Sequence, residues 1–200
     1  MVLAVALAVA AAVAAAQPSP LQFRTLTTAE GLPSDLIVAL THDAPGFLWA
    51  GTPGGAVRYD GIRFETVSEG LPAPYVRALG VGPGGTVWAG TEGGLARFDP
   101  EAGRFVPVAS PATRAMVRTR DALYAGSASG VLRIDARGVR RVGLAGDTVR
   151  ALAAMPGGSV VAATSRGLAR LTRGGAQRAD RGVTALGAIG GALWVGHRGG

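Results

Sequence analysis

The chain has 200 residues, of which 32 are glycine, 12 are proline and none is cysteine. The lack of cysteine excludes disulfide bonds and thiolate metal sites. The formal net charge is +7, and apart from the two histidines every basic residue is arginine, so an anionic partner has to be considered.

The first sixteen residues are predicted to form a signal peptide. Val2–Ala16 is an unbroken run of small or apolar residues, which is short for a membrane span of about 20 residues, and residues 14–16 are small enough for a cleavage site. Because no positive charge precedes the run, an upstream start and an uncleaved anchor are alternatives. We expect a signal peptide at 1–16, a mature domain at 17–200, and export to the periplasm.

Two stretches further along are nearly the same sequence. Residues 48–60 read LWAGTPGGAVRYD and residues 87–99 read VWAGTEGGLARFD, and Gly-Leu-Pro precedes each of them. Weaker copies begin at residues 123, 160 and 193. The small residue after the aromatic position recurs about every 33 to 39 residues, at Gly51, Gly90, Gly126, Ala163 and Gly196. Repetition at this period indicates one supersecondary unit copied in series.

Each copy is predicted to contain four short strands. In the first copy these are residues 36–41, 47–52, 56–60 and 64–67, which are rich in β-branched and aromatic residues and are separated by Gly, Pro or Asp. Two-helix repeats would need apolar residues three and four apart and few glycines, and a leucine-rich solenoid would have a period of roughly 20 to 29 residues. Four antiparallel strands per copy are typical of a propeller blade.

The predicted fold is therefore an all-β propeller of four-stranded antiparallel blades. We expect about four and a half blades, at residues 34–67, 73–108, 112–142, 147–179 and, truncated, 182–200. Residues 21–27 resemble a fourth strand without its first three, so we expect them to be a closing strand. With half of the last blade absent the ring would be incomplete, and the chain is expected to be an N-terminal piece of a longer protein.

The series Gly-Leu-Pro, Leu-Trp-Ala-Gly-Thr, Gly-Gly and Arg-Tyr-Asp resembles the two-component regulator propeller repeat. The match is close over residues 31–108 and holds in outline for the later copies. The resemblance implies the periplasmic sensor region of a signalling protein, with a histidine kinase or diguanylate cyclase further along the same chain. Its expected partners are a small-molecule or polysaccharide-derived ligand, those downstream domains and, in a homodimer, a second copy.

The sequence predicts no catalytic, cofactor or metal site. His42 and His197 stand outside any cluster with metal-ligand spacing. The glycine-rich turns lack the Lys-Ser/Thr of a phosphate loop. Carboxylates at predicted strand ends are expected to cap turns through backbone N–H groups, at Asp43, Asp60, Asp99 and Asp135.

Aromatic and basic residues recur at fixed positions of the repeat. We expect the tryptophans of the second strands to pack between blades rather than stack on carbohydrate, namely Trp49, Trp88 and Trp194. The third-strand arginines read as an inherited blade-face position, so nucleic-acid binding is not expected: Arg58, Arg97, Arg133 and Arg170.

Ligand contacts are expected from the first strands and from nearby loops around Ser34–Asp35 and Ala73–Tyr75, although no binding residue can be named. The function we favour is a non-enzymatic ligand sensor. A propeller enzyme (lyase or glycosidase) and an extracellular scaffold or adhesion propeller are the alternatives.

Overall fold

A computed structural model of the chain describes residues 23–172, 175–179, 183–189 and 192–197. The expected signal peptide lies outside these ranges. Within them the regular structure is strand, apart from three single-turn 3-10 helices at Thr28–Glu30, Pro83–Gly85 and Pro156–Gly158. No helix of the described residues has the length and apolar character needed to span a membrane.

The strands form five antiparallel sheets, numbered here as blades 1 to 5 in chain order. Blade 1 consists of β1 (Ala39–His42), β2 (Leu48–Thr52), β3 (Gly55–Tyr59) and β4 (Phe64–Val67). Blade 2 consists of β5 (Val76–Val81), β6 (Val87–Thr91), β7 (Gly94–Asp99) and β8 (Arg104–Ala109). Blade 3 consists of β9 (Thr113–Arg118), β10 (Leu123–Ser127), β11 (Gly130–Asp135) and β12 (Gly138–Gly143). Blade 4 consists of β13 (Val149–Ala154), β14 (Val160–Thr164), β15 (Gly167–Thr172) and β16 (Gly175–Ala179). Blade 5 has two described strands, β17 (Val183–Ile189) and β18 (Ala192–His197).

The first strands of the blades lie side by side around a common axis. In each four-stranded blade the strands pair in chain order, and β1, β5, β9, β13 and β17 pack against one another in that order. This arrangement of radial meanders confirms the predicted all-β propeller fold. The ring is open: over the described ranges, blades 1 and 5 do not pack as neighbouring blades do.

A hydroxyl group stabilises the same hairpin in each four-stranded blade. Thr52 Oγ1 donates to the carbonyl oxygen of Gly55 at 2.9 Å and accepts from the N–H of Gly54 at 3.1 Å. Because this side chain is buried, its two bonds satisfy groups that would otherwise be desolvated. The same bonds recur in blades 2 to 4, at Thr91, Ser127 and Thr164.

Neighbouring blades approach closely where the second strand carries glycine. A Cβ atom placed on Gly51 would lie 2.8 Å from Cγ1 of Val76, the first residue of the next blade's first strand. A Cβ atom placed on Gly90 would lie 2.7 Å from Cγ2 of Thr113, and one placed on Gly126 would lie 2.5 Å from Cγ1 of Val149. Since any side chain there would clash, the missing Cβ sets the spacing between blades; we call this contact the glycine notch.

Two of the three tryptophans pack between blades as predicted. Trp49 is fully buried and meets the rings of Phe98 and Phe105 of blade 2 edge-on, with centroid separations of 4.8 and 6.0 Å. Trp88 is also buried. The expectation is wrong for Trp194, whose side chain is 65% exposed because no further sheet within the described residues covers blade 5.

The expected closing strand differs from its prediction. Residues 21 and 22 lie outside the described residues, and residues 23–27 form no strand. Instead Thr27 caps the first 3-10 helix, accepting from the N–H of Ala29, while Glu30 accepts from the backbone N–H of Thr27. The carbonyl oxygen of Thr27 accepts from the N–H groups of Glu30 and Leu32, so the backbone groups of Thr27 are satisfied locally.

Candidate functional site

Three consecutive first strands carry an arginine at a β-bulge. In blade 2, Val76 pairs with Thr91 and Ala78 with Gly90, which leaves Arg77 as the extra, unpaired residue. The register shifts at the same place in β9 and β13, where the extra residues are Arg114 and Arg150. A bulge redirects the side chain of its extra residue, and here all three side chains are exposed at the end of the axis where the first strands begin. We call Arg77, Arg114 and Arg150 the bulge arginines.

Of the two loop segments expected to contact a ligand, one joins this group. The ring of Tyr75 lies under Arg77, with the guanidinium carbon 3.9 Å from the ring centroid, a cation–π contact that orients the arginine. In the other segment, Asp35 accepts from the N–H of Thr28 at 2.7 Å and Ser34 from the N–H of Leu36 at 3.2 Å. The polar groups of the Ser34–Asp35 segment therefore serve local structure.

Glu92 bridges the first two bulge arginines. Its Oε1 lies 2.6 Å from Nε of Arg77 and its Oε2 lies 3.0 Å from Nη2 of Arg114. The hydrogen bond from Arg114, followed by the bond from Arg77, holds the pKa of the Glu92 carboxyl below its ordinary value. Glu92 is therefore ionised at neutral pH, and each of its carboxylate oxygens binds one arginine.

The space between the next pair of bulge arginines around the axis, Arg114 and Arg150, lacks such a bridge. We call the space between two consecutive bulge arginines an interval. Ala128 holds the position in blade 3 that Glu92 holds in blade 2, since Ala128 follows Ser127 as Glu92 follows the equivalent Thr91. Arg150 forms no ion pair with a carboxylate of the described residues. Two bulge arginines thus flank a position that holds a methyl group instead of a carboxylate.

A second ion pair lies beside this interval. Asp147, which is fully buried, forms an ion pair with Arg166, with Oδ1 2.8 Å from Nε, and Nη2 of Arg166 donates to the carbonyl oxygen of Gly146 at 3.3 Å. With the bulge arginines and Glu92, this ion pair makes a group of four arginines and two carboxylates. The excess of positive charge is concentrated at Arg150.

The opposite end of the axis has a cavity of about 590 Å³. It lies where the first strands of blades 1 to 3 end, and its lining is largely apolar, with Leu79, Val81 and Met116 among the residues. Arg118, also in the lining, donates through Nη1 to the carbonyl oxygens of Val81 and Gly82. The arginine is therefore engaged with backbone at this end.

His42, which the sequence places outside any metal-ligand cluster, and Asp43, which it predicts to cap a turn, also line this cavity. Asp43 Oδ1 accepts from the N–H groups of Gly46 and Phe47, and Oδ2 accepts from the indole N–H of Trp49 at 2.8 Å. No three His, Asp or Glu side chains converge anywhere in the described part of the chain. The side chain of His197 lies outside what the structure describes.

The turn-capping carboxylates are where the sequence predicts them. Besides Asp43, Asp60 accepts from the N–H groups of Ile62 and Arg63, Asp99 from those of Glu101 and Ala102, and Asp135 from that of Arg137. These bonds confirm the structural role predicted for all four aspartates.

The third-strand arginines lie on blade faces, as predicted. Each pairs in register with the aromatic position of the second strand, for example Arg58 with Trp49 and Arg133 with Tyr124. Arg58 also forms an ion pair with Glu65. The sequence identified these arginines but not the bulge arginines, which recur as Val-Arg-Ala or Thr-Arg-Ala at a nearly constant distance before the small residue of the second strand, Gly90, Gly126 or Ala163.

Radial four-stranded meanders around a shared axis define an open β-propeller. No family model matches the sequence, and no curated protein matches it either. Solved structures do resemble it. The extracellular domain of the Bacteroides thetaiotaomicron protein BT4673, described as a hybrid two-component system, has a TM-score of 0.70 at 17% identity, and the match covers 90% of this chain and 27% of that one.

Two further structures place this likeness in context. The extracellular domain of the hybrid two-component system BT3049 of B. thetaiotaomicron matches with a TM-score of 0.71 at 17% identity, covering 87% of this chain and 29% of that one. Virginiamycin B lyase of Staphylococcus aureus matches with a TM-score of 0.64 at 14% identity, covering 80% of this chain and 62% of that one. At these identities the likeness establishes the fold, and this chain spans less than a third of the two extracellular domains. Domains of the class that the repeat motif indicates are thus among the structures with this fold.

Proposed function

We propose that the chain is an exported, periplasmic ligand-sensing propeller module of a bacterial signal-transduction protein, without catalytic activity of its own. The observation that carries the proposal is the row of bulge arginines on three consecutive innermost strands. The hairpin hydroxyls, glycine notches and buried aromatics account for blade stability, and the bulge arginines take no part in any of these. Exposed polar side chains around the axis of a propeller are placed to contact a ligand.

The structural likeness supports the sensing part of this proposal. The chain superposes over most of its length on extracellular domains described as parts of two-component systems. A ligand at the axial face would contact several blades at once. It would therefore favour one arrangement of the blades, or of two copies in a dimer, and shift the population that the downstream domains respond to.

The electrostatics of the face support binding rather than catalysis. A general acid or base has to exchange a proton near the working pH. Glu92 is held ionised by two arginines, and guanidinium groups are hydrogen-bond donors without an acceptor. This face is therefore suited to binding a charged group rather than to transferring a proton.

The test combines export, binding and chemical fate. Alkaline phosphatase fused after residue 200 should be active in the periplasm. The exported chain is then screened by thermal unfolding against neutral and acidic mono- and oligosaccharides, amino acids and organic acids. We expect at least one compound to raise the unfolding temperature and to be recovered chemically unchanged. An inactive fusion, or a screen with no binder, would contradict the proposal.

A propeller lyase is the second candidate, favoured by His42 in the lining of the axial cavity and by the likeness to streptogramin-cleaving lyases. Incubation with a type B streptogramin followed by mass spectrometry separates the two functions. A lyase would convert the substrate to a product of equal mass with different chromatographic retention, and His42→Ala would abolish that conversion. For a sensor we expect no conversion by either protein.

A further inference from the structure

We propose that the interval between Arg114 and Arg150 binds an oxyanion group of the ligand: a carboxylate, a phosphate or a sulfate. The proposal rests on the proposed function and specifies the ligand chemistry at the same face. It defines the oxyanion site by three residues, namely Arg114, Arg150 and Ala128.

The neighbouring interval shows what these arginines do with an oxyanion. Between Arg77 and Arg114, the carboxylate of Glu92 receives one short contact from each guanidinium, at 2.6 and 3.0 Å. Charge-assisted bonds of this kind are the stronger class of protein hydrogen bond. The protein therefore contains a bound oxyanion of its own one blade away from the oxyanion site.

The two intervals are built alike. In both, consecutive first strands pack side by side, and an arginine occupies the same bulge position on each strand. Two hydrogen bonds hold the turn that contains Ala128. The N–H of Ala128 donates to the carbonyl oxygen of Ala112 at 2.9 Å, and the carbonyl oxygen of Ala128 accepts from Thr148 Oγ1 at 3.4 Å. A methyl group there leaves the space of a glutamate carboxylate to a ligand.

The charges around the oxyanion site are left unbalanced by the protein. Arg114 shares Glu92 with Arg77, and it uses Nη2 for that bond, which leaves other N–H groups of its guanidinium for a ligand. Asp147, beside the oxyanion site, is paired with Arg166. An oxyanion bound in this interval would pair with Arg150 in the way that the carboxylate of Glu92 pairs with Arg77.

Exchanging the two equivalent residues tests the site directly. Ala128→Glu should place a carboxylate in the oxyanion site and block it, and Glu92→Ala should open a second site between Arg77 and Arg114. Arg150→Gln removes one of the donors. Arg137→Gln is the matched control, because Arg137 is an exposed arginine in a turn outside the oxyanion site.

The measurement is isothermal titration calorimetry of the 200-residue chain at constant ionic strength set with sodium chloride. The probes are inorganic phosphate, sulfate and sodium D-glucuronate, with D-glucose as the neutral counterpart and a single-stranded oligonucleotide as the polymeric phosphate. The three anions identify which oxyanion the site prefers. Circular dichroism and urea unfolding of each variant show whether it is folded.

We expect one oxyanion site in the wild type and in Arg137→Gln, and an affinity reduced by about tenfold or more in Arg150→Gln. Binding should vanish in Ala128→Glu, and the stoichiometry should rise to two in Glu92→Ala. If Ala128→Glu fails to fold, Arg150→Gln alone decides. The proposal is overturned if no anion binds, if Arg150→Gln binds as tightly as the wild type, or if only the oligonucleotide binds.

Failure of this proposal can be told apart from failure of the proposed function. A neutral ligand from the thermal screen that binds the wild type and Arg150→Gln equally would overturn the oxyanion site and leave sensing intact. Oxyanion binding that follows the variant pattern, in a chain whose phosphatase fusion is inactive, would contradict periplasmic sensing and leave the site intact.

Discussion

The interface between blades 1 and 2 and the interface between blades 3 and 4 are built from the same repeat positions but are filled differently. The first is closed by Trp49, Phe98 and Phe105. Pairing registers and the repeat place Tyr124, Leu171 and Ala176 at the equivalent positions of the second.

The loss of side-chain volume at the second interface is visible as space. A cleft of about 580 Å³ opens there, lined by residues that include Tyr124, Arg133 and Leu171. The remaining core of this interface is aliphatic, with Val131, Val149 and Leu152 buried. The glycine notch and the hydrogen bonds of the hairpin hydroxyls therefore keep the blade backbone in place even where aromatic packing between blades is absent.

The largest expected effect tests the aromatic interface. Trp49→Ala should lower the free energy of unfolding by about 3–5 kcal/mol, because it removes a fully buried ring and leaves a cavity between two blades. Tyr124→Ala is its matched counterpart and should have well under half that effect, since Tyr124 is only half-buried and borders the cleft. Urea unfolding of both variants gives the values. Equal losses would show that the two interfaces do not differ as described.

A smaller effect of opposite sign is expected from filling the cleft. Leu171→Phe combined with Ala176→Phe restores the aromatic pair of the first interface in the second. We expect a gain of about 1 kcal/mol in the free energy of unfolding, in the range that cavity-filling changes provide. Thermal unfolding measures it, and Ala176→Ser, which adds no ring, is the control. A loss of stability would mean that the cleft cannot accommodate the added rings.

The smallest effect separates packing from charge. Glu92→Gln lies outside both cores and should cost less than about 1 kcal/mol at pH 7, as partly exposed ion pairs do. Because the pKa of Glu92 is lowered by folding, its stabilisation is present above the ordinary value of 4.5 and is lost as the pH falls through the folded value. The difference between wild type and variant, followed by urea unfolding from pH 7 to pH 3, should shrink to zero at low pH. A difference that stays constant over this range would assign the effect to lost packing.

The strands were predictable because each copy repeats the same turn chemistry. The expected strand at 64–67 is β4 as found, and the expected strand at 47–52 is β2 with one residue fewer. The first strand was predicted at 36–41 and found at Ala39–His42, since pairing with β2 begins at Ala39 opposite Gly51. Apolar composition predicts that a strand is present, whereas the residues at which it begins and ends depend on the strand with which it pairs.

The candidate site was harder to predict for a physical reason. A bulge adds one residue to a strand, so the bulge arginines are conspicuous only once the pairing register is known. The Glu92 bridge joins residues 15 and 22 positions apart in the chain. Pairing of β5 with β6 brings Arg77 to Glu92, and the packing of blade 3 against blade 2 brings Arg114 there. Of the two loop segments that the sequence indicated, Ala73–Tyr75 lies beside the bulge arginines, through the contact of Tyr75 with Arg77.

The glycine notch has a consequence for how such a chain lengthens. Blades 2 and 3 carry both halves of the contact: the bare backbone of the second strand, at Gly90 and Gly126, and the residue of the first strand that fills the preceding notch, Val76 and Thr113. Copying one repeat of DNA therefore copies a module that already fits the modules on either side. Tandem duplication can add blades without compensating mutations, and each interface is then free to change its side chains independently.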